Sequence, residues 1–275
     1  KSFSNYEIFF IFKESKRILL FLIKNDLLTI DQPISLIMQK SDYESRKYPQ
    51  FFFPEIKQFL NEKKIEEISK EIPENFEELR KNAENESEVC RMIRNDSVDE
   101  FTAFIEKTNL ALNSVINQSI FETNSFLLNN NSNKISLIKY AAFFGSLKII
   151  KHLVKNNIQL DQSLWIYAVH GNNIELIQFL DENKVKSNEL QYCFEESIKC
   201  FHNNITAYIQ SNYLLYLTIN PKDIFKRSLS FHNYDYLRKD FIDSSSLFSL
   251  CKNDHPDIFK ILLEKTKINV NAKVV

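Results

Sequence analysis

Apolar side chains recur at helical spacing through the first third of this chain. After Pro54 they lie near one face of a helix, at Ile56, Phe59, Leu60, Ile65 and Ile68. Pro54 stands where the first turn of a helix accepts proline, and Pro33, Pro49 and Pro73 divide the region into short segments. The pattern predicts helices with irregular joints over residues 1–87.

One stretch of this region, YPQFFFPE at residues 48–55, is rich in aromatic side chains. Two interpretations are open. A buried connector between helices is favoured, because large aromatic groups supply much of a protein core. An exposed patch that docks a peptide is the alternative.

From about residue 88 the chain repeats one unit on a common register. KYAAFFGSLKIIKHLVKNN aligns with IYAVHGNNIELIQFLDENK when Ala141 is set on Ala168, 27 residues later. The equivalent positions, called anchors below, are Met92, Ala141, Ala168, Ser197, Ser228 and Leu250. An insertion at about 109–134, which includes the Asn-rich loop 129–133, separates the first unit from the second.

Each unit has the pattern of two short helices joined by a tight turn. Small anchors let first helices approach closely, and a large apolar residue three positions earlier fills the space between units. These large residues are Ile138, Trp165, Phe194, Phe225 and Leu247. Gly145 and Asn172, four residues after their anchors, tolerate left-handed backbone at the turn. Trp165 is therefore interpreted as core rather than as a binding hot spot.

The second helix of each unit carries an apolar stripe on one side. In two units the stripe consists of Leu147, Ile149, Ile150 and Leu153, and of Ile174, Leu176, Ile177 and Leu180. This spacing is typical of a helix that is buried along one face.

The unit from Ser136 to Ile158 resembles the ankyrin repeat, whose consensus includes TPLHxAAxxGHxxIVxLLL. The matching residues are Ala141, Ala142, Gly145, Leu147, Ile149, Ile150 and Leu153. The last unit is similar at His255, Asp257, Ile258, Ile261, Leu262 and Leu263. With its helical leader, the layout also resembles the divergent Phe- and Asn-rich ankyrin families of protozoa.

The resemblance implies an all-α fold, an α-solenoid of ankyrin-type helix-turn-helix repeats preceded by an irregular helical N-terminal region. Residues 1–87 are expected to form that region, and residues 88–275 about six degenerate repeats. It also implies that His202 and His255 bond backbone groups of an adjacent loop.

The spacing of the units departs from that family. Most intervals between anchors are shorter than the roughly 33 residues of the family, so we expect plain turns in place of projecting β-hairpin fingers. The segment INVNAK at residues 268–273 is similar to the start of a further repeat. We therefore expect the array to be truncated at the C-terminus.

Composition narrows the classes of function. The chain has 35 basic and 36 acidic residues and a net charge of -1, which disfavours a general nucleic-acid binder. It has two glycines, Gly145 and Gly171, too few for a phosphate-cradling loop. We expect no cofactor and no small-molecule substrate.

The sequence offers little support for catalytic or metal-ligating residues. Cys90, Cys193, Cys200 and Cys251 form no CxxC pair and are expected to be reduced thiols. The histidines of the repeat turns are His170, His202, His232 and His255. With one per repeat, about 10 Å apart, they are too distant to share a metal ion. Cys200 and His202 point apart on a helix, and Glu195 and Glu196 read as solvated positions, so no catalytic residue and no metal site is predicted.

No segment reaches the roughly 20 apolar residues of a membrane span, since charged residues interrupt the apolar clusters near the N-terminus. The mildly basic segment that includes Lys16 is interpreted as a solvated helix face. No signal peptide is visible. We expect an intracellular, cytoplasmic protein.

These observations favour a protein that is not an enzyme. The leading hypothesis is a non-catalytic protein-protein interaction scaffold that binds a protein partner through the concave face of the repeat array. The alternative is a targeting or regulatory arm of a larger protein whose active part lies outside residues 1–275. The predicted contact residues, taken as exposed positions beside the anchors, are Lys139, Tyr140, Phe143, Phe144, Ile166, Tyr167, Val169 and His170.

Overall fold

The computed structural model describes residues 3–128, 135–213, 221–236 and 244–265. Within these ranges the regular secondary structure is helical, with 66% helix and no strand, which confirms the all-α prediction. One isolated antiparallel bridge joins Val115 to Ser136. The Asn-rich loop 129–133 and the segment 268–273 lie outside the described residues, as does the side chain of Leu247.

The chain divides into two compact units, residues 1–140 and 141–275. Helices of the first unit are α1 (Asn5–Phe12), α2 (Lys16–Lys24), α3 (Gln32–Met38), α4 (Ser41–Glu44), α5 (Tyr48–Phe51), α6 (Phe53–Ile56), α7 (Glu62–Glu71), α8 (Phe76–Asn82), α9 (Glu88–Arg94), α10 (Val98–Thr108) and α11 (Ser125–Leu128). Helix α12 (Leu137–Phe144) runs across the division. The boundary predicted between residues 87 and 88 marks the start of the repeat pattern, whereas the division into compact units lies at residues 140 and 141. The predicted boundary stays a prediction.

Helices of the second unit come mostly in pairs joined by tight turns. They are α13 (Leu147–Lys155), α14 (Leu164–His170), α15 (Ile174–Glu182), α16 (Leu190–Lys199), α17 (Asn203–Tyr213), α18 (Pro221–Ser230), α19 (Ser244–Lys252) and α20 (Pro256–Lys265). Short 3-10 helices lie at Lys57–Phe59 and Tyr234–Tyr236.

Aromatic side chains dominate the core of the first unit. Tyr48, Phe51 and Phe52 are fully buried and Phe53 is nearly so, which confirms the interpretation of residues 48–55 as a buried connector. The rings of Phe51 and Phe52 meet edge to face at 5.0 Å between centroids, an arrangement that aromatic pairs favour. Pro54 lies in the first turn of α6, as predicted.

A buried lysine ties the first unit together. Lys16 is fully buried, so the prediction that its segment is a solvated helix face is wrong at this residue. Its ammonium group donates hydrogen bonds to the carbonyl oxygens of Ile120 and Glu122 at 3.0 and 3.1 Å. The same group lies 5.5 and 5.2 Å from the ring centroids of Tyr48 and Phe51. These contacts hold residues 120–122 against the leader helices.

The repeat register predicted from sequence is visible in the backbone. Four residues after each anchor the backbone is left-handed, at Asp96, Gly145, Asn172, Phe201, His232 and Asp254, which extends the prediction made for Gly145 and Asn172 to all six units. The amide one residue further on donates to the carbonyl of the anchor at 2.8 to 3.0 Å in all six. One turn geometry therefore recurs at intervals that differ by several residues.

Burial in the described units follows the same register. Ala141, Ala168, Ser197 and Ser228 are fully buried, and Trp165, Phe194 and Phe225 beside them are almost inaccessible to solvent. In the second helices Ile149, Ile150 and Leu153, and their counterparts Leu176, Ile177 and Leu180, are fully buried. Trp165 donates its indole N–H to the carbonyl of Val185 at 2.7 Å, which confirms it as a core residue.

Successive first helices of the second unit contact one another, α14 with α16, α16 with α18 and α18 with α19. The approach is close at Gly171, where an added Cβ atom would lie 1.8 Å from the carbonyl oxygen of Phe143. The small anchors and this glycine are what allow the backbones to come together.

The environment of Lys16 predicts how stability changes with pH. Burial lowers the pKa of Lys16 from 10.5 to about 7, although Glu122 acts in the opposite direction. The folded chain then binds fewer protons than the unfolded chain between these pH values, so the free energy of unfolding rises with pH across them. Below a pH of about 7 the cost of the buried charge is fully present.

Lys16→Met should remove this dependence. Between pH values of about 7 and 9, the wild-type free energy of unfolding should rise relative to the variant by up to about 1.4 kcal/mol per pH unit. Urea unfolding followed by circular dichroism measures it. Lys24→Met, at the exposed end of the same helix, is the control and should run parallel to wild type. Parallel curves for Lys16→Met would contradict the assignment.

Candidate functional site

One polar side chain per turn connects each helix pair to the pair before it. His202, five residues after its anchor, donates from Nδ1 to the carbonyl oxygen of Val169 at 2.7 Å. His255, at the same register position, donates from Nε2 to the carbonyl of Leu229 at 2.8 Å. Both histidines bond backbone groups of the preceding helix pair, but the acceptors lie in helices α14 and α18, so the prediction of an acceptor in an adjacent loop is wrong in that respect.

Asparagine occupies the same register position, five residues after the anchor, in two other helix pairs. Asn233 donates from Nδ2 to the carbonyl of Ile198 at 2.8 Å. The accepting carbonyl stands one residue after its anchor in all three contacts. Asn173 occupies this register position one pair earlier, and its Nδ2 lies where a Cβ atom on Gly145 would be. We call these contacts the turn ladder.

Exposure on the first helices follows a simple rule. Residues one position before or after an anchor are mostly buried, whereas residues two positions before or after it are half-buried or exposed. A residue two positions away lies about 200° around the helix from the anchor, on the side opposite the neighbouring helix. In the second unit the open positions are Phe143, Ile166, His170, Glu195, Lys199, Lys226, Ser230, Phe248 and Lys252. We call this set the open face.

The eight predicted contact residues divide along this rule. The expectation of exposure is wrong for Tyr140, Tyr167 and Val169, which are buried because they stand one position from an anchor. The remaining five are half-buried, namely Lys139, Phe143, Phe144, Ile166 and His170. Their role in binding stays a prediction.

Sequence reasoning missed most of the open face. Glu195, Lys226 and Phe248 are equivalent to Ile166, and Lys199 is equivalent to His170. The repeat register could have identified these residues, because the positions two before and two after each anchor follow directly once the anchor is known. Phe248 is 58% exposed, unusually open for a phenylalanine.

Three polar residues from adjacent first helices meet beside the open face. The Nδ1 atom of His170, at the end of α14, lies 3.7 Å from the Sγ atom of Cys200. Its Nε2 atom lies 3.3 Å from Oε2 of Glu196 on α16. One ligand atom from each of the three residues lies within 4.8 Å of the other two. We call this group the HEC cluster.

Electrostatics distinguish the members of this cluster. Burial by itself raises the pKa of Glu196, but hydrogen bonds with His170 and Lys199 outweigh it and leave the pKa below its ordinary value. The ammonium of Lys199 contacts both carboxylate oxygens, at 2.9 and 3.1 Å. Burial raises the pKa of Cys200, and the charge of Glu196 adds to the effect. The prediction of a solvated Glu196 is therefore wrong, because it is 7% exposed.

The order thiol, imidazole, carboxylate is also that of a cysteine nucleophile with its base and orienting group. A nucleophilic cysteine needs a lowered pKa. Because the pKa of Cys200 is raised, this arrangement does not favour nucleophilic catalysis. The three donor types are instead those that bind transition metals.

The prediction that the repeat histidines lie about 10 Å apart is wrong for His232 and His255. The rings of His232 and His255 lie 4.7 Å apart between centroids, much closer than the expected 10 Å. His232 stands four residues after its anchor and His255 five residues after the next, the same register positions at which Gly145 and Asn173 lie close together. The Tyr234 hydroxyl lies 3.3 Å from Nδ1 of His232 and 3.1 Å from Nδ1 of His255.

No protein-family model, curated protein or solved structure matches the chain. The ankyrin resemblance therefore stays a prediction that the repeated geometry motivates. Among the residues that the structure describes, no helix combines the length and the apolar character needed to cross a membrane.

The turn ladder predicts which substitutions His202 tolerates. Because Asn233 makes the same contact one pair later, His202→Asn should retain a donor to the Val169 carbonyl, whereas His202→Leu removes it. We expect the asparagine variant to exceed the leucine variant in free energy of unfolding by about 1 kcal/mol. Urea unfolding measures the difference. A leucine variant as stable as the asparagine variant would contradict the ladder, since it would show that packing alone holds this position.

Proposed function

We propose that this chain is a non-catalytic scaffold of ankyrin-type repeats that binds a protein partner through the open face of its first helices. The observation that carries the proposal is the recurrence of the same two open positions in successive helix pairs. Side chains at these positions form rows beside a fully buried set of anchors. Such rows suit a macromolecular partner better than a small molecule.

The turn geometry supports the ankyrin assignment. Six turns share a left-handed residue and the hydrogen bond that follows it. Four of the six units also keep the small anchor on which the resemblance rests, at Ala141, Ala168, Ser197 and Ser228. Stacked repeats of this kind present their first helices and turns on a concave surface. The proposed contact surface is that one.

The open face is chemically mixed, as protein interfaces are. Ile166 and Phe248 offer apolar groups, while Lys199, Lys226 and Lys252 offer positive charge. Glu195 pairs with Arg227 at 3.1 Å and Lys199 pairs with Glu196 at 2.9 Å, so the exposed Lys226 and Lys252 are the more available charges. A partner with acidic groups around an apolar contact would fit this surface.

The proposal is tested by affinity capture from the source cells with a triple variant, Lys226→Glu, Phe248→Asp and Lys252→Glu. Because all three side chains are exposed, the variant should keep its helical circular dichroism. We expect it to lose at least about tenfold in captured partner, which corresponds to about 1.4 kcal/mol.

A matched control carries Glu175→Lys and Gln178→Asp on the exposed side of the second helix α15. It should capture the partner as wild type does. Loss of capture by this control together with full capture by the triple variant would place the contact on the second helices and overturn the proposal.

A further inference from the structure

We propose that His170, Glu196 and Cys200 form a binding site for a zinc-type divalent metal ion that bridges two neighbouring helix pairs. One ligand atom from each residue lies within 4.8 Å of the other two. Donors bound to one tetrahedral ion at the usual 2.0 to 2.3 Å lie roughly 3.3 to 3.8 Å from one another. The separation of 3.7 Å between Nδ1 of His170 and Sγ of Cys200 already falls in this range. The contact of 3.3 Å with Glu196 is made by the other ring nitrogen, Nε2, so one of the two side chains must rotate when the ion binds.

The chemistry of the donors selects the class of ion. An imidazole nitrogen, a thiolate and a carboxylate oxygen together suit zinc and its neighbours in the first transition row. Calcium and magnesium require oxygen ligands almost exclusively, so a thiol and an imidazole argue against both. Three protein ligands leave a fourth position for water, which can enter because Cys200 and the edge of His170 are partly accessible.

The elements that carry the ligands are held in place without the ion. Helices α14 and α16 contact each other, and the turn-ladder bond from His202 to Val169 joins their ends. Small rotations of side chains are then enough to close the site. One of the two ring nitrogens of His170 takes the ion, since a single ion binds a single nitrogen of an imidazole.

Binding changes the charges of the cluster in a defined way. The Cys200 thiol gives its proton to solvent and binds as thiolate, because thiolate is the metal-ligating form. Glu196 exchanges the ammonium of Lys199 for the ion. The side chain of Lys199 is half exposed and can turn into solvent. The ion thereby replaces one positive charge with another and pairs the new negative charge on sulfur.

The three ligands are brought together by the repeat register, not by a short sequence motif. His170 stands two residues after one anchor, and Glu196 and Cys200 stand one residue before and three after the next. No short sequence motif joins them, since 26 positions separate His170 from Glu196 along the chain. The cluster exists because consecutive first helices pack side by side.

The experiment is a titration of metal-free protein with Co2+, a spectroscopic substitute for zinc. The wild-type protein should develop a thiolate-to-cobalt charge-transfer band and the visible bands of tetrahedral cobalt, and Zn2+ should displace both. Cys200→Ser should lose the charge-transfer band. His170→Gln and Glu196→Gln should each weaken Co2+ binding at least about tenfold, as losses around metal sites do.

Cys251→Ser removes an exposed thiol of the same compact unit and serves as the matched control. It should bind Co2+ as wild type does. Thermal unfolding without metal should be the same for Cys200→Ser and wild type, so a lost band reports a lost ligand. A wild-type protein without the charge-transfer band, a band that survives in Cys200→Ser, or unchanged affinity in Glu196→Gln would each overturn the site.

Discussion

The contact on which the second unit depends is a hydrogen bond between turns. A side chain five residues after one anchor donates to the carbonyl one residue after the preceding anchor, in the pairs His202 with Val169, Asn233 with Ile198 and His255 with Leu229. Each accepting carbonyl lies near the end of its helix and also accepts the backbone amide three residues later, so the side-chain donor uses its second lone pair. The bond fixes the distance between successive first helices while the connecting segments differ in length.

Much of this architecture was predictable from the sequence. The anchors, the left-handed turns at Gly145 and Asn172 and the buried residues three places before four of the anchors follow from matching one unit against the next. The backbone contacts of the two histidines follow from the resemblance to the ankyrin repeat. Left-handed backbone at Phe201 could not be inferred from residue type, because bulky residues disfavour that conformation. The turn hydrogen bonds and packing of the surrounding pairs outweigh the local preference there.

Contacts between neighbouring repeats were harder to predict from the sequence than contacts within one repeat. The prediction of exposure for Tyr140, Tyr167 and Val169 assumed that each first helix has one buried side. A first helix instead packs both against its own second helix and against a neighbouring first helix. Both ±1 positions are consequently covered and the ±2 positions stay open. The burial of Lys16 depends on residues more than 100 positions away, and no local pattern records that.

The open face and the HEC cluster arise from the same packing. Because first helices lie side by side, residues from equivalent places in successive units align into rows, and a residue at the edge of one row meets residues of the next. The turn ladder sets this alignment, so its existence is the central claim.

The most direct test is the tautomeric state of the two ladder histidines, read from the ring nitrogen chemical shifts by NMR at neutral pH. His202 donates through Nδ1 and His255 through Nε2, so the two neutral rings should carry their protons on different nitrogens. Burial keeps the pKa of His202 below its ordinary value, which favours the neutral ring. Rings that share one tautomer, or that average rapidly between both, would contradict the ladder.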